Sequence, residues 1–180
     1  MKSTFTEEVS TKSNKRVPFF TFRKGSNPVR IITAPHKSSR YVLNKQYINV
    51  PFGFELPTDA KLSSHWYVGV IDRKTQSTAI LDFGPAIYNQ IRELSKSEDW
   101  GSTEHYDIDI VCNPDGGADN YYRVMPKPKR PLSADDIQLT EQFDEADLEF
   151  WANPSEEVYL AAFFKVTGSN GVVKSAVTTE

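Results

Sequence analysis

Aromatic rings and cations are interleaved in the front of the chain and again past residue 120. The set is Phe20, Phe22, Arg23, Lys24, Arg30, Lys37, Arg40, Tyr41, Lys45, Tyr47, Phe52, Phe54, Trp66, Arg73 and Lys74, then Tyr121, Tyr122, Arg123, Lys127 and Lys129. An unpaired polynucleotide strand needs this mixture, because splayed bases lie on ring faces while Lys and Arg follow the phosphates. Each stacked base is worth about 1–3 kcal/mol whatever its identity. Against this stands the ordinary use of apolar and aromatic residues in a β-rich domain, which is the core. Phe19, Val29, Ile31, Val68, Val70, Ile80, Phe83, Ile108, Ile110 and Val124 are expected there.

The charge distribution points the same way. Residues 1–130 carry 19 Lys/Arg against 14 Asp/Glu, whereas residues 131–180 carry 2 against 10, so a body of net +5 precedes an end of net −8. Between residues 11 and 74 the ratio is 12 to 3. Such asymmetry suits a body that meets a polyanion and an end that does not. The plainer alternative is that the two ends balance each other for solubility. Cys112 is the only cysteine, which rules out an intramolecular disulfide and leaves a Cys-based zinc site unsupported. Its thiol is expected in the core. No apolar run approaches the ~18 residues of a membrane span. The first 15 residues lack an apolar signal core, and a cytoplasmic protein is expected.

The elements that must hold these residues are mostly strands. Trp66–Ile71 and Thr78–Phe83 are β-branched and aromatic runs flanking a polar, basic tip at residues 72–77, a hairpin pattern. The period then changes: Gly84 caps and Pro85 opens a helix on which Ile87, Ile91 and Leu94 recur at helical spacing. Val17–Lys24, Val29–Ile32 and Arg40–Val50 read as earlier strands, and Pro51–Ser64 as a loop able to close over a groove. Glu104–Cys112 alternates, with Tyr106, Ile108, Ile110 and Cys112 inward and His105, Asp107, Asp109 and Val111 outward. Asn113–Gly117 is a turn leading to a partner strand at Tyr121–Met125. Pro126–Pro131 lacks the donors of a central strand. Ser133 and Asp136 form a capping box, with Leu132 and Ile137 as its staple, and a second helix follows Ser155. The chain divides into an N-terminal arm (1–16), a β domain (17–131) and an acidic helical region with tail (132–180). The fold class is mainly β: the element order is that of a small five-stranded barrel with extra hairpin strands, one helix capping its open end and a C-terminal helical extension.

Two other kinds of function compete. Asp72, Asp82, Asp107 and Asp109 supply the carboxylates of a metal-dependent nuclease, but no helix-borne carboxylate motif accompanies them, and His36, His65 and His105 are scattered. A phage structural or decoration protein fits a β-rich fold but leaves the basic, aromatic half without a use. The acidic stretch Asp135–Glu157 reads as helix solvation, as a docking surface with Glu149, Phe150 and Trp151 as its anchor, or as a polyanion competing for the groove.

Several blocks resemble the single-stranded DNA-binding proteins of tailed phages and, more distantly, the T4-type helix-destabilising proteins. They are FRKGSNPVRII at 22–32, WYVGVIDR at 66–73, LDFGPAIY at 81–88, DWG at 99–101, YDI at 106–108, and the stretch from Pro126-Lys127-Pro128 to Pro131-Leu132-Ser133. The resemblance covers roughly residues 18–135. It implies an oligonucleotide-binding (OB-fold) barrel that coats single strands without base preference in replication, recombination and repair, as a monomer or weak self-associate in the host cytoplasm. It also implies replication enzymes as partners of an acidic end. Two departures stand out. The zinc site of the T4-type proteins is not carried over, because Tyr41–Ser64 contains no cysteine, and the acidity lies at Asp135–Glu157, not at the terminus.

Overall fold

The computed structural model describes residues 16–56 and 60–168, so most of the N-terminal arm, and the tail past Gly168, lie outside the described residues. Seven strands are formed: β1 (Pro28–Ile31), β2 (His36–Leu43), β3 (Gln46–Val50), β4 (Ser63–Asp72), β5 (Ser77–Phe83), β6 (Tyr106–Cys112) and β7 (Tyr122–Lys129). Four helices accompany them: α1 (Pro85–Lys96), α2 (Ala134–Gln142), α3 (Ala146–Ala152) and α4 (Glu156–Thr167). The strands make one antiparallel sheet in the order β3-β2-β4-β1-β6-β7, with β5 on the other edge of β4.

β4 organises the sheet. Its early residues pair with β2, its last three with β1, and its opposite edge with β5. Ile31 opposes Val70 and His36 opposes Tyr67, so the four residues Ile32–Pro35 face only Val68 and Gly69. This bulge bends the sheet between β1 and β2. By alternation Val68 and Val70 point to one face, where they join Val29, Ile31, Leu81, Phe83, Tyr106, Ile108 and Ile110 under Ile87 of α1. Tyr67 and Ile80 point to the other face and are covered by Phe143, Leu148 and Ala152 from the α2–α3 region. With both faces covered, the second half of β4 is wholly buried.

The sheet is open: no ladder joins β5 to β7 among the described residues. Other groups satisfy the two facing edges. The Phe20 amide donates to the Ile80 carbonyl and the Ile80 amide to the Pro18 carbonyl, each at 2.8 Å. On β7 the Gln90 side chain of α1 donates to the Tyr122 carbonyl at 3.0 Å and accepts from the Val124 amide at 2.9 Å. Phe22 fills the space between, 5.4 Å from the Phe20 ring and 5.3 Å from Tyr122.

Several expectations need correction. Val17–Lys24 forms a single bridge, Phe19 to Ile80, instead of a strand. Phe19 is exposed against the edges of Tyr67 and Trp151 and is not core. Arg40–Val50 is not one strand, because the chain reverses at Asn44 and Lys45, both with positive φ, into the β2–β3 hairpin. Such a two-residue turn is usual with Asn-Gly; the lysine in second place hides it. β7 runs on through Pro126 and Pro128, as an edge strand permits. The capping box at Ser133 is present with both of its hydrogen bonds, and α4 begins at the expected place. α3 was not expected.

Gly69 marks the closest approach of the C-terminal region to the sheet. A methyl group there would stand 2.7 Å from Phe143 Cζ and 2.9 Å from Thr33 Cγ2. Gly69→Ala is therefore expected to destabilise the protein by about 1–3 kcal/mol, read as a lower urea midpoint at unchanged m. The penalty should shrink in a Phe143→Ala background. Equal penalties in both backgrounds would show that Phe143 does not set the contact.

Candidate nucleic-acid interface

The structure separates the interleaved rings and cations into three groups. The first is sealed inside. Phe20 belongs to the main core. Tyr41 is buried under α4, with its hydroxyl 3.1 Å from that of Tyr159, and burial followed by this contact pushes its pKa well above the usual tyrosine value. Phe54 packs 4.7 Å from the Tyr159 ring. Trp66 is stacked on Tyr88 at 3.9 Å and half-buried, and Phe22 fills the seam. Phe20 and Tyr41 are buried, and Phe22, Phe54 and Trp66 are half-buried with each ring against another ring of the protein.

The buried cations share carboxylates. Arg30 is 1% exposed; its Nε donates to Asp107 at 2.7 Å and its terminal nitrogens to the Glu104 and Arg130 carbonyls. Arg73, expected at a free hairpin tip, is folded inward, donating to Asp107 from Nε and Nη2 at 3.0 Å each and to both oxygens of Asp136. Arg130 donates to Asp107 as well, while keeping more than half its side chain exposed. Lys74 reaches the Ser26 carbonyl, Arg23 pairs with Asp72 at 2.8 Å, and Arg40 pairs with Asp82 at 2.8 Å under the Tyr47 ring. Asp107 and Asp109, expected on a solvated face, are both buried, Asp107 beneath Arg30, Arg73 and Arg130, and Asp109 where the Ser26 hydroxyl and the Asn27 backbone amide donate to it. Burial alone would raise the Asp107 pKa, but the hydrogen bonds from Arg73 and Arg30 outweigh it and hold the carboxyl below its ordinary range. Asp72 is lowered in the same way by Arg23 against burial, and Asp136 is lowered chiefly by Arg73.

The second group lies around the β2–β3 hairpin: Lys37, Lys45, Tyr47 and Phe52, all exposed. The third lies at the other end of the sheet path. Lys24, Tyr121, Arg123, Lys127 and Lys129 are exposed on and beside β7, with Tyr122 half-buried. Tyr121 and Tyr122 are 4.6 Å apart, edge to face. Along β7 the side chains of Arg123, Met125 and Lys127 alternate outward and Val124 inward, as a strand requires. A recess of about 690 Å³ adjoins the start of this strand, lined by Lys24, Asn113, Asn120, Tyr122 and Arg123. Arg123 and Lys129 have no carboxylate partner among the described residues, whereas the exposed Lys127 ammonium lies 3.5 Å from the buried Asp109 carboxylate and Lys24 lies 3.5 Å from the exposed Asp115. Met125, Arg130 and Asn120 were missed by the sequence reading. Of these only Met125 had a signal, the period-two pattern from Arg123 onward, masked by the prolines.

The anchor expected of the acidic region is mostly engaged. Trp151 packs against the Tyr67 cluster, Phe150 lies 3.4 Å beneath the Arg16 guanidinium, and Glu149 contacts His36. Among the described residues no group of three or more His, Cys, Asp or Glu is placed to hold a metal ion. No described helix is long and apolar enough to cross a membrane. No protein-family model matches the chain. No curated protein matches it either.

The depressed carboxyls make a signed prediction. A carboxylate with a folded pKa below its unfolded value near 3.9 adds stability above that value and loses it as pH falls through the folded pKa. Urea midpoints should therefore hold from pH 7 to about 5 and fall steeply below about 4. Asp107→Ala, which leaves Arg30 buried without its carboxylate, should cost about 3–5 kcal/mol at pH 7. A flat profile down to pH 2.5, or a neutral Asp107→Ala, would contradict this assignment.

Proposed function

We propose that this protein binds single-stranded nucleic acid, DNA in the first instance, along the outer side of β7, without base preference and without cutting it. The observation that carries the reading is the grouping of the exposed cations Lys24, Arg123, Lys127 and Lys129 with Tyr121 and Tyr122 on and beside one strand, where Arg123 and Lys129 have no carboxylate partner among the described residues and Lys24 and Lys127 make only 3.5 Å contacts, with Asp115 and Asp109. Phosphates need cations not already neutralised by carboxylates, and stacked bases need rings with an accessible face. On this side of the sheet the two occur together. The eight residues of β7 extend over roughly 26 Å, room for a short run of nucleotides.

The strand order supports the reading. Taking β1 with β2 as one bent strand, the path β5-β4-β1-β6-β7 with α1 between β5 and β6 is compatible with an OB-fold whose closing pair, β5 with β7, is not formed among the described residues. In that scheme the Asn113–Tyr121 connection is the loop between the last two strands, one of the elements such folds use to hold oligonucleotides. A role in phage replication, recombination and repair, in the host cytoplasm, follows from the sequence resemblance. The exposed carboxylates Glu141, Asp144, Glu145, Glu156 and Glu157 leave an acidic surface for replication partners.

Fluorescence anisotropy with an oligothymidylate tests the proposal. Affinity should fall with salt, and Lys127→Ala and Lys129→Ala should each reduce the log–log slope by about 0.7. Tyr121→Ala should weaken binding by about 1–3 kcal/mol while leaving the slope unchanged. No binding at low salt, or cleavage of the oligomer on adding magnesium, would overturn it.

A further inference from the structure

At the far end of β7 the cations give way to an apolar recess that the charge pattern does not explain. Ile137 of α2 is 46% exposed, although it lies one turn inside a capped helix whose neighbouring Asp136 is buried. Together with Pro131 and Leu132 it floors a recess of about 680 Å³ whose walls include His105, Lys129 and Arg130. A second recess of about 410 Å³, lined by Arg73, Lys127, Lys129 and Arg130 around the Asp107 carboxylate, shares two of those walls and has more cations than carboxylates. Glu104 also borders the apolar recess, where its backbone carbonyl accepts from Arg30 and its exposed carboxylate lies away from the Lys127 side of the pair of recesses, being absent from the lining of the second.

Resting on the function proposed above, we infer that this pair of recesses is a nucleotide subsite at the end of the strand path. The base would lie on Leu132 and Ile137 beside the His105 ring, and its phosphate against Lys127, Lys129 and Arg130. The geometry favours this over a purely ionic site because Pro131, Leu132 and Ile137 line the recess together, while of its cations Arg30 is buried and tied to Asp107, and Lys129 and Arg130 are the exposed ones. A phosphate alone would gain nothing from Ile137. A base, which has an apolar face and is tethered to a charged link, uses both parts. α2 thus supplies a surface for the bound strand in addition to its acidic outer side. Arg130, fixed to Asp107 yet more than half exposed, sits at the junction of the two recesses.

The test compares Ile137→Ala with wild type on two probes of equal charge, an oligothymidylate and an oligomer of the same length made entirely of abasic nucleotides. On the oligothymidylate the variant is expected to bind about fivefold to tenfold more weakly, with an unchanged salt slope. On the abasic oligomer variant and wild type should bind alike. Leu132→Ala should repeat the pattern, and unchanged urea midpoints would show that both variants are folded. Equal losses on both probes, or no loss on either, would overturn the subsite while leaving the β7 path standing if Lys127→Ala and Lys129→Ala still lower the slope. If wild type binds neither probe, the nucleic-acid reading fails and the subsite fails with it.

Discussion

Asp107 is the point on which this structure depends. One buried carboxylate faces guanidinium groups from three places in the chain: Arg30 on β1, Arg73 after β4 and Arg130 after β7. Through Arg73 the cluster extends to Asp136 in the first turn of α2. An unpaired charge in such a place would be strongly unfavourable, so Asp107 cannot be removed without stranding the buried Arg30, whereas the half-exposed Arg130 is the member that can move away. The cluster therefore fixes the relative positions of β1, the β4–β5 turn, the end of β7 and the start of α2 by charge as well as by apolar contact. The apolar contacts agree with it, since Phe143, just after α2, rests on the sheet where Gly69 lacks a side chain.

This arrangement decides which cations remain for a ligand. Arg30 and Arg73 are consumed internally, and Arg23 and Arg40 are tied to Asp72 and Asp82. What is left outward-facing near an accessible ring lies mainly on β7 and in the loop before it. The hairpin formed by β2 and β3 keeps Lys45 and an exposed Tyr47, but Arg40 lies 4.3 Å from the Tyr47 ring centroid, covering one of its faces. β7 is held in place without a partner on its second edge. Gln90 caps that edge at Tyr122 and Val124, and Pro126 and Pro128 remove donors farther along, which discourages edge-to-edge pairing with another sheet.

Much of the fold was legible in the sequence, because local pattern and tertiary environment agree over most of its length. The β4–β5 hairpin, α1 after Gly84, the alternation of β6, and the helix starts at Ser133 and Ser155 all follow from periodicity and capping residues. Elsewhere local pattern was not enough. Lys45 at a positive φ concealed a tight turn, and α3 is short and lacks a side-chain cap. The site was less legible than the fold for a specific reason. Composition reveals that arginines and aspartates are present but not which of them neutralise each other, and ladder register alone brings Arg30 to Asp107. For the same reason Tyr41 and Phe54 read as platforms although α4 covers them. Arg123, Lys127 and Lys129, expected to meet the bound strand, are exposed, and they share one strand that the sequence pattern ends at Met125 because Pro126 follows.

The most direct measurement of the central claim is a backbone amide chemical-shift titration of the protein with an oligothymidylate. The account predicts the largest changes at Lys24, at residues 121–125 and at Lys127 and Lys129, with the Gln46–Val50 strand nearly unaffected. Changes confined to the β2–β3 hairpin, or no changes at all, would contradict it.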